Sequence, residues 1–314
     1  LAAPVRTLLL GRRDRLLSGD WPERAPALAA LLARGLAFEG GAGDEPALAR
    51  VVDLAGPDGA WPIAALTRII DQGDCGRSTW LRADPAYVRA DAACARLLAI
   101  GDFEIPRADA DAALAVLVPL FAEEGILLDA PHPHRWYLRV PDGTAMPRFA
   151  HPREVLGDDL SRHLPDGPAA RRWVRLLNEV QMTLHQAEFN RARASRGLPP
   201  INSLGFWGGG RAPERVSLRA ARVATDDPIL LGALRLAARA PVDYAAAAPA
   251  GPDDSVVDLR RLDDVDVLDS DWLRSDLAAL KRRRFACIEL VFADGSGVRV
   301  DTSQAWRLWR RRPN

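Results

Sequence analysis

The sequence predicts an α/β protein, a sheet flanked by helices and ending in an antiparallel hairpin. Three observations predict it: a β-then-α opening, strand and helix periodicities that alternate along the chain, and two β-rich runs around Asp294-Gly295 near the end. Val5 to Leu10 reads as a short buried strand. Pro26 to Leu36 then sets Leu28, Leu31, Leu32 and Leu36 at helical spacing. A second helix runs through Ile63, Ala64, Leu66, Ile69 and Ile70, and Asp74-Cys75-Gly76-Arg77 punctuates its end. Two strands, Trp80 to Pro85 and Trp136 to Val140, flank a helix from Ala108 to Glu124, so an inserted α+β unit is expected over about residues 76 to 150. Asp166-Gly167-Pro168 supplies an N-cap candidate and an early proline for a helix from Ala169 to about Gln186. Ile201 to Trp207 reads as a strand running into Gly208-Gly209-Gly210, where backbone can closely approach a phosphate or another segment. Ala245 to Pro252 reads as a surface connection, Ser255 to Leu259 as a strand and Ser270 to Arg283 as a helix. Phe285 to Phe292 and Val298 to Val300 form the hairpin.

At 314 residues the chain corresponds to about two domains of roughly 150 residues. Its 48% hydrophobic and 27% charged content excludes collagen-like, coiled-coil and wholly disordered classes. Forty-two basic residues balance forty-two acidic ones, which removes the whole-chain basic signature of a dedicated nucleic-acid binder. Cys75, Cys94 and Cys287 are widely spaced and form neither a disulfide framework nor a zinc pattern. A cytoplasmic protein is expected, since Leu8-Leu9-Leu10 meets Gly11-Arg12-Arg13-Asp14 at once and no run approaches the roughly 18 apolar residues of a membrane span.

Most local motifs have bland readings. His132-Pro133-His134 lacks further ligands in local sequence and reads as a pair of loop histidines. Neither a Walker pattern nor GxGxxG accompanies the triple glycine, and no Gly-x-Ser-x-Gly elbow occurs. Eight Asp between Asp253 and Asp271 lack an EF-hand order and are expected to form a solvated acidic segment. Lys281-Arg282-Arg283-Arg284 suits a helix C-terminus, and Trp306 to Arg312 offers a basic end for an acidic partner or nucleic acid. On the helix from Ala169, Trp173, Leu176, Leu177, Val180 and Leu184 form the apolar stripe. Arg171, Arg175, Asn178, Gln181 and His185 fall on a neighbouring face, either solvated or lining a polar cleft.

One block carries more. Leu177-Asn178-Glu179-Val180, Asn190-Arg191-Ala192-Arg193, Gly197-Leu198-Pro199-Pro200-Ile201-Asn202-Ser203-Leu204 and Gly208-Gly209-Gly210 resemble a block of the archaeal-type cofactor-independent phosphoglycerate mutases. Leu81-Arg82-Ala83-Asp84 and His134-Arg135-Trp136-Tyr137-Leu138 look like two earlier strands of that family, in the same order. The whole chain looks closer still to a bacterial branch called regulatory proteins of the RpfE type. The resemblance implies an alkaline-phosphatase-like core at 1–75 and 200–314 and an inserted substrate-binding-like lid domain at 76–199. It also implies two divalent ions, usually manganese or zinc, and a Ser nucleophile.

The sequence departs from the family where chemistry is concerned. Leu10-Gly11-Arg12-Arg13 stands where a metal-binding Asp-Gly is expected, Gly59-Ala60-Trp61-Pro62 where the nucleophile motif is expected, and no His follows His185. Two-metal phosphoryl transfer needs several Asp or His ligands and an oxygen nucleophile. The expectation is therefore a non-catalytic regulatory or ligand-binding protein with no resident metal, or alternatively a manganese- or zinc-dependent mutase or phosphatase. A nucleic-acid-associated module using the Arg-rich end is a third reading. Arg82, Arg135, Asn178, Asn190, Arg193 and Asn202 match family positions and form the candidate phosphate-type cleft. A phosphorylated small molecule, a nucleotide or a regulatory protein is the expected partner, and a membrane is not. Trp207 stands where the family block tends to carry Arg.

Overall fold

A computed structural model of the chain describes residues 4–41, 45–54, 61–90, 94–247 and 253–306. In chain order its main elements begin with β1 (Val5–Leu10), α1 (Pro26–Arg34), β2 (Leu36–Phe38), β3 (Val52–Leu54) and α2 (Ile63–Gln72). There follow β4 (Thr79–Ala90), β5 (Ala95–Ile100), α3 (Arg107–Glu123), β6 (Leu127–His132), β7 (Arg135–Val140), α4 (Ala170–Gln186), α5 (Glu188–Ser195) and β8 (Ser203–Gly210). The last are β9 (Val216–Leu218), β10 (Arg222–Ala224), α6 (Pro228–Leu236), β11 (Ser255–Leu259), α7 (Arg274–Lys281), β12 (Cys287–Val291) and β13 (Gly297–Asp301). The chain divides into a core unit, Leu1–Ala55 with Arg215–Asn314, and an inserted unit, Gly56–Glu214.

In the core unit the sheet order is β10-β11-β1-β12-β13-β2, parallel from β10 to β12 and antiparallel at β13 and β2. Strands buried on both faces need near-continuous apolar runs, and Leu8-Leu9-Leu10, Val256-Val257 and Leu290-Val291 supply them. Leu28 and Leu31 of α1 and Leu277 and Leu280 of α7 pack into the same core as Leu8, Leu10 and Leu290. The hairpin is present, with Ile288 opposite Val300.

Two expectations change here. The acidic segment is not simply solvated: Asp258 is 6% exposed and Asp269 fully buried. Helix α1 starts at Pro26 without a local side-chain cap, and Asp269 Oδ1 accepts from the Ala27 and Leu28 amides at 2.8 and 2.9 Å, satisfying donors that a helix start leaves open. The helix expected from Ser270 starts earlier, with an α-helical Val265–Val267, widens into an i→i+5 stretch over Leu268–Leu273, and is α-helical again from Arg274. The wide turn contains Asp269, whose other oxygen accepts from Arg274 Nε at 2.9 Å.

The inserted unit is built on β4. β7 pairs with its first half from Thr79 to Arg82, β5 with its second half from Ala86 to Ala90, and β8 along Trp80 to Ala86. The expected strand ended at Pro85; the observed one runs through it to Ala90, with a register shift after Tyr87. Pro85 has no amide to donate, but its carbonyl accepts from Gly101 N at 2.9 Å. Helices α3 and α4 cover the sheet through Ala113, Leu117, Phe121, Trp173, Leu177 and Val180. Helix α2 packs on β4 and β8, so the observed inserted unit takes in α2 and β8, both outside the 76–199 expected from sequence.

The triple glycine has a packing role. Gly208 has φ +62°, and a Cβ there would lie 2.8 Å from Cβ of Ile63, the first residue of α2. The bare backbone lets β8 meet the start of that helix. Residues 248–252 of the Ala/Pro/Gly connection lie outside the described residues.

Candidate functional site

Arg82 and Arg135, the two arginines picked from the strand echoes, belong to one network under α2 in the inserted unit. Arg82 lies on β4 and is 5% exposed. Its Nε and Nη2 donate to the two oxygens of Asp84 at 2.9 and 2.7 Å, and its Nη1 donates to Thr67 Oγ1 of α2 at 3.2 Å. Asp84 also accepts from the Trp136 amide at 3.2 Å and from Trp207 Nε1 at 2.8 Å, so both its oxygens are doubly used. The Trp207 ring lies 5.1 Å from the Arg82 guanidinium carbon. Trp207 therefore supports an arginine from the next strand.

Arg135, at the start of β7, makes a second fork. Its Nε and Nη2 donate to Asp71 of α2 at 2.8 and 2.5 Å, and Tyr137 Oη donates to the same carboxylate at 2.5 Å. Arg68, one helical turn before Asp71, donates to Asp129 of β6 at 2.7 Å and stacks on Trp80 with its guanidinium carbon 3.7 Å from the ring. Tyr137 stands between Arg68 and Arg82, 5.5 and 5.4 Å from their guanidinium carbons. Arg68 Nε is buried and has no hydrogen-bond partner among the described residues. Three guanidiniums are thus oriented by three carboxylates, and one buried donor is left over.

Electrostatics follow from this packing. Burial pushes the Asp71 carboxyl upward, but the bonds from Arg135 and Tyr137 and the Arg135 charge outweigh it and leave Asp71 below its ordinary value. The bond to Asp71 raises Arg135 further against the opposing effect of burial. Burial drives Tyr137 well above the ordinary phenol range. His132 moves down, first through burial and then through the Arg135 charge. His132 ends β6 and His134 sits in the tight turn to β7, where its amide donates to His132 Nδ1 at 3.2 Å.

The other four candidate residues are not brought to this network. Asn190 binds its own chain, donating to the Leu184 and Ile201 carbonyls and accepting from the Ile201 amide at 2.9 to 3.0 Å. Arg193 is fully buried and donates to the Pro199 and Glu104 carbonyls and to Asp109. Asn202 makes a two-way clip on the Val88 backbone at 2.8 and 2.7 Å. Asn178 is exposed on α4 beside Arg171 and Arg175, at a wide surface hollow. Nearby, Arg175 Nη2 is held by Glu124 at 2.5 Å. Thr67, Arg68 and Asp71 were missed by sequence reading, although a Thr-Arg pair and an Asp three residues on, inside an apolar helix, were a readable signal.

In the core unit, open α/β sheets present ligands at the carboxyl ends of their parallel strands. At that end Asp258 is the buried carboxylate, and Arg260 occupies it. Arg260 Nε and Nη2 donate to its two oxygens at 2.8 and 2.7 Å, Thr225 Oγ1 donates at 2.9 Å, and Arg260 also pairs with Asp227 at 3.3 Å. Asp227 Oδ1 caps α6 through the Ile229 and Leu230 amides. Arg12, just after β1, pairs with exposed Asp14, and Arg13 lies over Phe292. A divalent ion needs free oxygen or imidazole donors, yet the five histidines of the sequence all lie in the inserted unit. Asp258, with both oxygens taken by Arg260, does not fit manganese or zinc. Among the described residues no group of three or more His, Cys, Asp or Glu is disposed to hold a metal ion. Gly59 and Ala60, at the expected nucleophile position, lie outside the described residues, as does the basic end from residue 307. No helix among the described residues is long and apolar enough to cross a membrane.

Fold and network together define an α/β protein whose inserted antiparallel unit carries oriented arginines. No family model matches the chain. It is 36% identical over 66 residues, 21% of this chain and 16% of the relative, to a probable 2,3-bisphosphoglycerate-independent phosphoglycerate mutase of Geobacter sulfurreducens. A 2,3-bisphosphoglycerate-independent phosphoglycerate mutase of Methanothrix thermoacetophila is 36% identical over 62 residues, 20% of this chain and 16% of that protein. Each match thus spans about a sixth of the relative's length. Among solved structures, a cofactor-independent phosphoglycerate mutase from Thermoplasma acidophilum aligns over 95% of this chain and 89% of its own, at 17% identity and a TM-score of 0.39. The sequence matches support a phosphoglycerate mutase-like scaffold.

Proposed function

We propose that the protein is a non-catalytic, regulatory member of this scaffold class, of the RpfE type, that binds a phosphorylated small molecule at the Arg68, Arg82 and Arg135 network. The observation that carries the reading is Arg260 seated on both oxygens of Asp258, a fixed monocation at the sheet end where two-metal chemistry would need vacant carboxylates. The arginines of the inserted unit support the binding half. Their partner carboxylates hold each planar fork in place, and the unpaired Arg68 Nε asks for an acceptor that an anionic oxygen supplies.

Calorimetric titration with 3-phosphoglycerate tests it. Wild-type protein binds, and Arg135→Gln weakens binding at least tenfold while the circular dichroism spectrum stays unchanged. Arg135 suits the test because it is the most exposed of the three arginines, at 24%. Equal affinity in the two proteins would remove the network as the site.

A further inference from the structure

Helix α3 departs from the pattern of a surface helix. Its inner side, with Ala113, Leu117 and Phe121, lies in the main apolar core of the inserted unit, and polar residues are the rule on the side opposite. Instead, the eleven residues from Ala112 to Ala122 carry no polar side chain at all. Val116 and Val118 are 37% and 41% exposed, and Ala115, Pro119 and Ala122 are exposed with them. An apolar face of this kind marks a surface that a partner covers.

The layout of the face is regular. At about 100° per residue, Ala115 stands at the centre of the outward side, opposite the core residues Ala113 and Leu117. Exposed Ala108 and Ala122 lie seven residues before and after it on nearly the same line. Side chains this small let a second helix approach to about 8 Å.

The end charges of α3 say what covers it, because they run against the helix's own dipole. A helix N-terminus favours acids and a C-terminus favours bases. Yet α3 begins at Arg107 and ends at Glu123, with no basic residue in its last turn. Asp109, the acid of the first turn, is buried and held by Arg193 and Arg196. Arg107 turns to Asp111 at 2.6 Å, and both stay exposed. Glu124 is held by Arg172 and Arg175, whereas Glu123 is exposed and has no ion pair among the described residues. An antiparallel second copy of α3 supplies what each end lacks. With Ala115 set over its own counterpart, position 107 lies level with 123, 108 with 122 and 112 with 118. Each Arg107 then comes to the acidic end of the other copy, and each Val118 lies level with the small Ala112.

We propose that the outer face of α3 is the contact of a two-fold dimer, in which α3 packs antiparallel on α3 of a second copy of the chain about Ala115. Such a contact is isologous, the commonest form of association between identical chains. A single helix pair about 25 Å long is at the small end of protein interfaces, so the dimer forms at concentrations on the order of 10 µM. The contact uses no residue of the arginine network and stands whether or not a phosphorylated molecule binds there.

Sedimentation velocity of the full chain over about 1 to 300 µM tests it. The wild type passes from monomer to dimer across that range. Ala115→Glu, which sets two like charges against each other on the two-fold axis, raises the dissociation constant at least about tenfold with the circular dichroism spectrum unchanged. Register is read by cysteine linking in oxidised glutathione, with the wild type as the background for its own three cysteines. Ala115→Cys gives a disulfide-linked dimer as glutathione is reduced, and Ala108→Cys does not, because its two copies lie about 20 Å apart. These exposed cysteine variants also decide the matter if Ala115→Glu does not fold. A monomer throughout the range would overturn the proposal and leave the face to a different protein. A dimer that Ala115→Glu leaves intact would place the contact elsewhere, and linking at both cysteine positions would mean parallel helices; either result overturns it.

Discussion

The carboxyl end of the core sheet and the network under α2 both pair arginine with aspartate, yet they differ in what is left over. In the core unit Arg260 covers both oxygens of Asp258 and reaches Asp227, whose other oxygen caps a helix. In the inserted unit the carboxylates orient Arg68, Arg82 and Arg135, but Arg68 Nε stays unpaired and Arg135 keeps a quarter of its side chain exposed. The comparison teaches that the same ion pairs can close a site or preorganise one, depending on whether donors remain after the pairing. Buried pairs add little net stability over an apolar replacement, but breaking one side is costly because the surviving charge has no water to return to.

The largest effect is expected at the closed end. Arg260→Ala strands Asp258 and lowers unfolding free energy by about 3–5 kcal/mol, read as a shift of the urea midpoint, and a shift near zero would break the contrast between the two ends. Asp71→Asn in the open network costs less, about 1.5–3 kcal/mol for a charge-assisted bond. Its pH dependence sharpens the point. Asp71 lies below its ordinary value when folded, so its contribution is present in full above the unfolded pKa of about 3.9 and is lost as pH falls through the lower folded value. The stability gap between wild type and variant therefore holds at pH 7 and closes on acidification; a gap that widens toward acid contradicts the assignment. Asn202→Ala removes the two-way clip on Val88 and costs about 1–2 kcal/mol with 3-phosphoglycerate affinity unchanged. Asn178→Ala, exposed on α4 and not bonded to the network, stays within about 0.5 kcal/mol of wild type and also leaves affinity unchanged, so a large loss of affinity would move the site to the α4 face.

Much of the fold was readable because its causes are local. The parallel strands carry unbroken apolar runs such as Leu8-Leu9-Leu10, the stripe Trp173, Leu176, Leu177, Val180 and Leu184 is buried on α4, and Asp294-Gly295 turns the hairpin. Reading failed where a residue's partner is remote. Asp269 looked like one of many solvated acids, yet it accepts from the Ala27 amide, 242 residues earlier, at the start of α1. Arg193, Asn190 and Asn202 have the side chains of anion binders, and only the fold shows that backbone carbonyls take their donors. The α2 half of the network was hidden for the opposite reason, since Thr67, Arg68 and Asp71 sit in a helix whose apolar residues alone define its pattern. Arg82 reaches Thr67 from 15 residues away, and the pairing of β7 with β4 brings Arg135 to Asp71 across 64 residues of chain.

The most direct measurement is a coupled phosphoglycerate mutase assay with added manganese, at high protein concentration, beside an active homologue. An arginine-sealed sheet end predicts no turnover while the homologue is active. Turnover that disappears with a chelator would contradict it and make this scaffold a working metalloenzyme.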